Sequence, residues 1–348
     1  AVSENPIVLR GLGDVVALLP HLVGTQVNDS IVVVPVELRA APVARVDLPA
    51  TAQDREIMAA HLAPYYAEYR TPVVLLAFTD RRDLAEAACD RLAEAFDSVC
   101  PIAAAASVTG DRWVRLDHPD HGTVSPASRD RVAAEAIYQR GSSPYRSLQE
   151  HRASFAPGSS QIPAQDFAAA QTATSTVLQD PPALAQERAW LSLVVGRHIA
   201  SSTPLPTVDA ARMLADVQDI GLRDHAWTLI PRDEARQHAE LWKDLLTRAP
   251  EGAQAPAAAL AAFSYWVAGD GLSARAALEQ IPPTQQYSMG QLITVAVRNG
   301  LDPKAFPMPH DMPPDVVAGV PAPSSGSEQA RRQPPTPAST SPSPGVSR

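Results

Sequence analysis

Two stretches of the chain are apolar at almost every position: residues 30–38, reading SIVVVPVEL, and residues 72–78, reading PVVLLAF. Valine and leucine without alternation describe strands covered on both faces. A weaker run occupies residues 98–108, and residues 112–116 alternate around Trp113. Between these runs the spacing turns helical. Residues 13–22 place Val15, Val16, Leu18, Leu19 and Leu22 on one side, with Asp14 suited to the positive end of a helix and Gly24 able to stop it. Residues 52–69 carry Ile57, Met58, Leu62 and Tyr66, with Pro64 predicting a kink or a split. Residues 81–96 and 128–139 are amphipathic, the second buried on Val132, Ala136 and Ile137 and stopped by Gly141.

Strand, helix, strand, helix, strand in this order predicts a three-layer α/β/α domain on a mostly parallel sheet over residues 1–154. Asn28, Asp29 and Ser30 mark the start of its first strand. Pro35 lacks a ladder donor, which places that point at a sheet edge or a bulge. A second strand then delivers Arg45 and Asp47, either to a site or to an ion pair that fixes the strand end.

The pattern changes after residue 154. Residues 155–182 shift to Ala, Ser, Thr, Gln and Pro and read as a linker that accommodates a short helix near residues 166–171. Residues 183–302 read as an all-helical domain whose segments are separated by Pro or Gly. Trp190, Trp227, Trp242 and Trp266 fall one to a segment, as core anchors do. Ala262, Tyr265, the Gly269-Asp270 turn, Ala274 and Leu278 resemble one tetratricopeptide-like helix pair, which suits a module for protein contacts. Residues 303–348 are rich in Pro, Ser and Thr. They predict a disordered tail, because so little apolar area cannot offset the entropy of ordering.

Composition narrows the function classes. A net charge of −9 argues against a general affinity for nucleic acid, which needs a surplus of Lys and Arg on one face. Cys89 and Cys100 are too few for a disulfide scaffold or a thiolate zinc site and read as buried free thiols. Residues 1–10 lack a basic start followed by an apolar run, and the longest apolar runs are too short to span a bilayer. A cytoplasmic protein without a membrane partner is the expectation.

The segments PHLVGTQVNDSIVVV, RVDLP, VVLLAFTD, DRW and AAEAIYQRG, with the later block PAAALAAFSYWVAGDGLSARAALEQIPP and NGLDP, resemble a domain-of-unknown-function family, number 4192, met mainly in actinobacteria. The resemblance covers most of the chain outside residues 155–182 and the tail. It supports the architecture and implies no reaction. The family pattern often places cysteines in the loop after the Arg-Trp strand; here that loop reads RLDHPDHGTVSP.

Candidate chemistry therefore rests on two groups. Asp117, His118, Asp120 and His121 put two imidazoles and two carboxylates within five residues, a donor set for a divalent metal, or else ordinary turn residues. In open parallel sheets ligands bind beyond the carboxyl ends of the strands, which nominates Arg45, Asp47, Asp80 and Arg112. Glu135 and Asp47 are the candidates for a base, and Glu135 equally suits a solvated helix face. Neither a glycine-rich phosphate loop nor a Gly-x-Ser-x-Gly elbow is present. Two functions follow. One is a binding or adaptor protein without a cofactor, its sheet domain taking a small ligand or partner and its helical domain docking a protein. The other is a metal-assisted hydrolase built on the 117–121 loop.

Overall fold

The computed structural model describes residues 9–38, 41–140, 143–201 and 203–311. The chain opens with α1 (Leu12–Val23), then β1 (Ser30–Pro35) and β2 (Ala44–Asp47). It continues through α2 (Ala52–Ala67), β3 (Val73–Phe78), α3 (Arg82–Phe96) and β4 (Ile102–Thr109). β5 (Arg112–Arg115), β6 (His121–Thr123) and α4 (Pro126–Arg140) complete the sheet domain. The six strands form one sheet in the order β2-β1-β3-β4-β5-β6.

Among the described residues β3 with β4 is the one parallel pair, and the sheet is otherwise antiparallel. A three-layer unit on a mostly parallel sheet is therefore not the architecture. The reason is where β1 sits. β2, β3 and β4 point the same way, as strands joined through α2 and α3 should, but β1 runs against them and is inserted between β2 and β3. β1 is buried throughout, as its unbroken apolar run predicts. Pro35 fits because β2 pairs only as far as Val33; Val36 N–H bonds toward β3, so the donor that Pro35 lacks would face the side β2 no longer covers.

Alternating strand residues feed two apolar clusters. Ile31, Val33, Leu75 and Ala77 pack with Met58, Leu62, Ala88 and Leu92 of α2 and α3. Val32, Val34, Leu76 and Val108 pack with Val16 and Leu19 of α1. α2 starts on a capping box in which Thr51 and Asp54 satisfy each other's backbone donors, and it continues through Pro64 without splitting. Cys89 and Cys100 are free and buried, and burial pushes the Cys89 thiol up to about 12.

The helical half comprises α5 (Leu148–Ala153), α6 (Ala164–Val177), α7 (Pro181–Ser201), α8 (Thr207–Asp216), α9 (Ile220–Thr228), α10 (Ala235–Arg248), α11 (Gln254–Val267), α12 (Gly271–Leu278) and α13 (Ser288–Arg298). α11 is buried along its whole length, and its alanines let the neighbouring helices approach closely. Trp227, Trp242 and Trp266 are core, while Trp190 is half-buried beneath the Arg212 guanidinium.

Two boundaries move. The predicted linker contains α6, and its Phe155, Ile162 and Phe167 are buried in the helical core. The predicted tail begins too early: Met308 is buried, Phe306 packs against Trp266, and Arg232 donates to the carbonyls of Pro303 and Phe306. Gly141 and residues 312–348 lie outside the described residues.

The halves meet around Tyr145. Its backbone bonds Gly24 and Gln26 beside α1, and its hydroxyl accepts from Lys243 of α10 at 3.1 Å. His151 of α5 bonds Ser273 of α12 at 3.0 Å.

Candidate functional site

At one end of the sheet lie the carboxyl ends of β3 and β4. The start of β1 lies there too, because Ser30 pairs with Phe78, and so does the start of β5, because Arg112 pairs with Thr109. Five segments wall a cleft of about 550 Å³ at this end. Val16, Ala17, Val27, Phe78, Val108 and Val124 supply its apolar surface; Asp29, Asp80, Asp111, Thr79, Thr109, Gln26, His21 and Arg129 supply its polar groups. Polar groups make up more of its surface than apolar ones, so it is a polar cleft over apolar patches.

Local geometry fixes the walls. Gly24 ends α1 at φ 80°, a left-handed conformation that glycine takes without strain. Asp29 holds φ 39°, which aspartate tolerates better than a branched residue, and its main-chain carbonyl accepts from Leu48 at 2.9 Å. Thr79 donates to Asp29 Oδ1 at 3.2 Å and accepts the Arg81 amide at 3.1 Å, tying the β3–α3 connection to the start of β1. Thr109 donates to the Thr79 carbonyl at 2.8 Å. On the opposite rim Arg129 of α4 pairs with Asp111. Below the wall Asp14 is buried. Burial opposes its charge, but the Arg10 amide, Ser128 and Arg131 together hold its carboxyl below the usual range.

The structure separates the residues nominated from sequence. Asp80 lines the cleft and is exposed. Arg45 and Asp47 stand at the same end of the sheet, on β2, without lining the cleft. Arg45 instead supports its wall, donating to Ser30 Oγ at 3.1 Å and Thr25 Oγ1 at 2.8 Å; burial lowers its pKa and Asp47 opposes that shift. Arg112 is exposed beside Asp111 and is not a lining residue. Glu135 is half-buried on α4, away from the lining.

The Asp/His loop lies past the other ends of β5 and β6, at the far end of the strands from the cleft. There Arg115 takes Asp117 in a two-bonded pair at 2.9 and 2.6 Å, which holds that carboxyl below its usual range. His118 Nδ1 stands 3.2 Å from Asp120. His121 is exposed on β6 opposite Val114. Among the described residues no group of three or more His, Cys, Asp or Glu side chains is placed to hold a metal ion.

Sequence reasoning missed Asp29, Thr79, Thr109, Asp111 and Arg129. Thr79 and Thr109 were within reach of the strand-end rule, since each follows or ends a strand of the parallel pair. Asp29 and Asp111 precede antiparallel strands, so only the true topology points to them.

Fold and site together define a two-part α/β and helical protein with a ligand-sized cleft at one end of its sheet. The chain belongs to the family described as domain of unknown function DUF4192, whose model matches residues 13–304. No curated protein and no solved structure matches it. Among the described residues no helix is long and apolar enough to cross a membrane.

Proposed function

We propose that this chain is a cytoplasmic binding or adaptor protein. Its sheet domain holds a small ligand in the cleft beyond β3 and β4, and its helical domain docks a partner protein through its repeat-like helix pairs. The observation that carries the reading is the cleft itself, where five separate segments converge their polar groups on one concave, largely polar surface. Three carboxylates, Asp29, Asp80 and Asp111, face it with one guanidinium, Arg129. Those carboxylates and the largely polar surface favour a ligand that brings hydrogen-bond donors or a positive group.

The hydrolase alternative needs the 117–121 loop to meet a base. Asp47 stands at the opposite end of the sheet, and Glu135 rides on α4, which packs on α1. A thermal-shift screen of the full chain against nucleosides, amino-acid amides and polyamines tests the binding reading. A ligand that raises Tm should bind Asp80→Ala about tenfold more weakly, roughly 1.4 kcal/mol. Equal affinity for the variant would move the site out of the cleft and overturn the assignment.

A further inference from the structure

Away from the cleft, buried charge is concentrated where α6, α7 and α8 meet. Asp216, at the end of α8, is 0% exposed, and Glu187 of α7 is 4% exposed. Thr174 of α6 donates its hydroxyl to Asp216 Oδ1 at 2.7 Å, while Oδ2 of Asp216 meets no donor. Arg212, one turn back on α8, donates to both oxygens of Glu187 at 2.6 Å each. One guanidinium balances one carboxylate, and a second buried negative charge would stand uncompensated.

We propose that Asp216 carries a proton in the folded protein at neutral pH, which makes the α6–α7–α8 junction a proton-binding site. The groups facing it are Thr174 from α6, Glu187 from α7 and Arg212 from α8. Asp209 of α8 lies further out and is paired with Arg197 of α7 at 3.2 Å.

Burial, with Glu187 beside it, pushes Asp216 up to about 8. An unfolded aspartate titrates near ~3.9, so above that pH the folded state keeps a proton that the unfolded state releases. The stabilisation is complete below the unfolded value and is lost as pH rises to about 8, the folding equilibrium weakening about tenfold per pH unit in that window. Glu187 shifts the opposite way: burial opposes its charge, but Arg212 and Asp216 hold it low, so its contribution is lost only in acid.

The test compares the full chain with Asp216→Asn, whose oxygen can accept from Thr174 as the acid does and which stays uncharged at every pH. Denaturant melts across pH 5 to 9 should show a wild-type decline steeper than the variant's by about tenfold per unit up to about pH 8. The variant should be the more stable of the two at pH 9. Parallel declines would overturn the proposal. Should the variant fail to fold, infrared spectra of the wild type decide directly: a buried protonated-carboxyl band at pH 7 that disappears by pH 10 supports the site, and its absence at pH 7 refutes it.

Discussion

In the sheet domain Asp29, Asp80 and Asp111 stand at the mouth of an open cleft, paired at most with exposed arginines. In the helical domain Glu187, Asp216 and Asp224 are buried, each against a specific partner: Arg212, Thr174 and Arg223. The contrast follows from how each domain fills its interior. The strands of the sheet domain fill its core with Val, Leu and Ile, and among the described residues its one buried carboxylate, Asp14, is held by Arg131 where α1 meets α4. The helical core is made largely by alanine on α11, so helices approach closely and trap the polar side chains of neighbouring segments. The carboxylates at the cleft mouth are open to a ligand, whereas the buried ones, Asp14 included, hold helices together.

The largest effect expected is in the helical core. Trp242 is fully buried between α10 and α11, and an alanine there leaves a cavity the alanine-rich α11 cannot fill. Trp242→Ala should lose about 3–5 kcal/mol in a denaturant titration. A loss below about 1 kcal/mol would mean that the tight packing of this half does not set its stability.

A smaller effect is expected at the edge of the sheet. A Cβ on Gly122 of β6 would stand 2.6 Å from Cζ2 of Trp113, the indole that covers this edge beside Val108 and Val124. Gly122→Ala should therefore cost about 1–3 kcal/mol, because the ring must move off the sheet. Trp113 fluorescence should report the displacement, and Gly122→Ala combined with Trp113→Leu should recover part of the loss. No recovery would put the strain elsewhere.

Much of this architecture was legible from the chain. The runs 30–38 and 72–78 gave two buried strands because burial on both faces removes every polar position; on α4 Val132 and Ala136 are buried as their spacing implies, but Ile137, read with them, is exposed. Strand direction was not legible, since the pattern of β1 is identical whether its neighbours run with it or against it. That error propagated to the site. A parallel sheet nominates only residues after strands, and of those Asp80 does line the cleft; Asp29 and Asp111 come before strands. The 155–182 composition read as a linker because small residues suit both flexible chain and close helix contacts, and only Phe155, Ile162 and Phe167 distinguish the two. The 117–121 cluster had the right residue types for a metal, but its side chains are engaged in two pairs, Arg115 with Asp117 and His118 with Asp120.

The smallest effect expected on stability sharpens the contrast most. Asp80 is exposed at the cleft, and its carboxylate is solvated whether the protein is folded or not. Asp80→Ala should leave stability within about 0.5 kcal/mol of wild type, as substitutions of solvated surface residues do. Glu187→Ala in the helical half strips a buried partner from Arg212; with Arg212 itself 42% exposed, the loss should fall near the lower end of the buried-pair range, about 3 kcal/mol. Measured side by side by denaturant titration, the two carboxylates should differ several-fold in cost. Equal costs would mean that Asp80 is a structural residue like Glu187, and the case for a ligand at the cleft would lose its most accessible group.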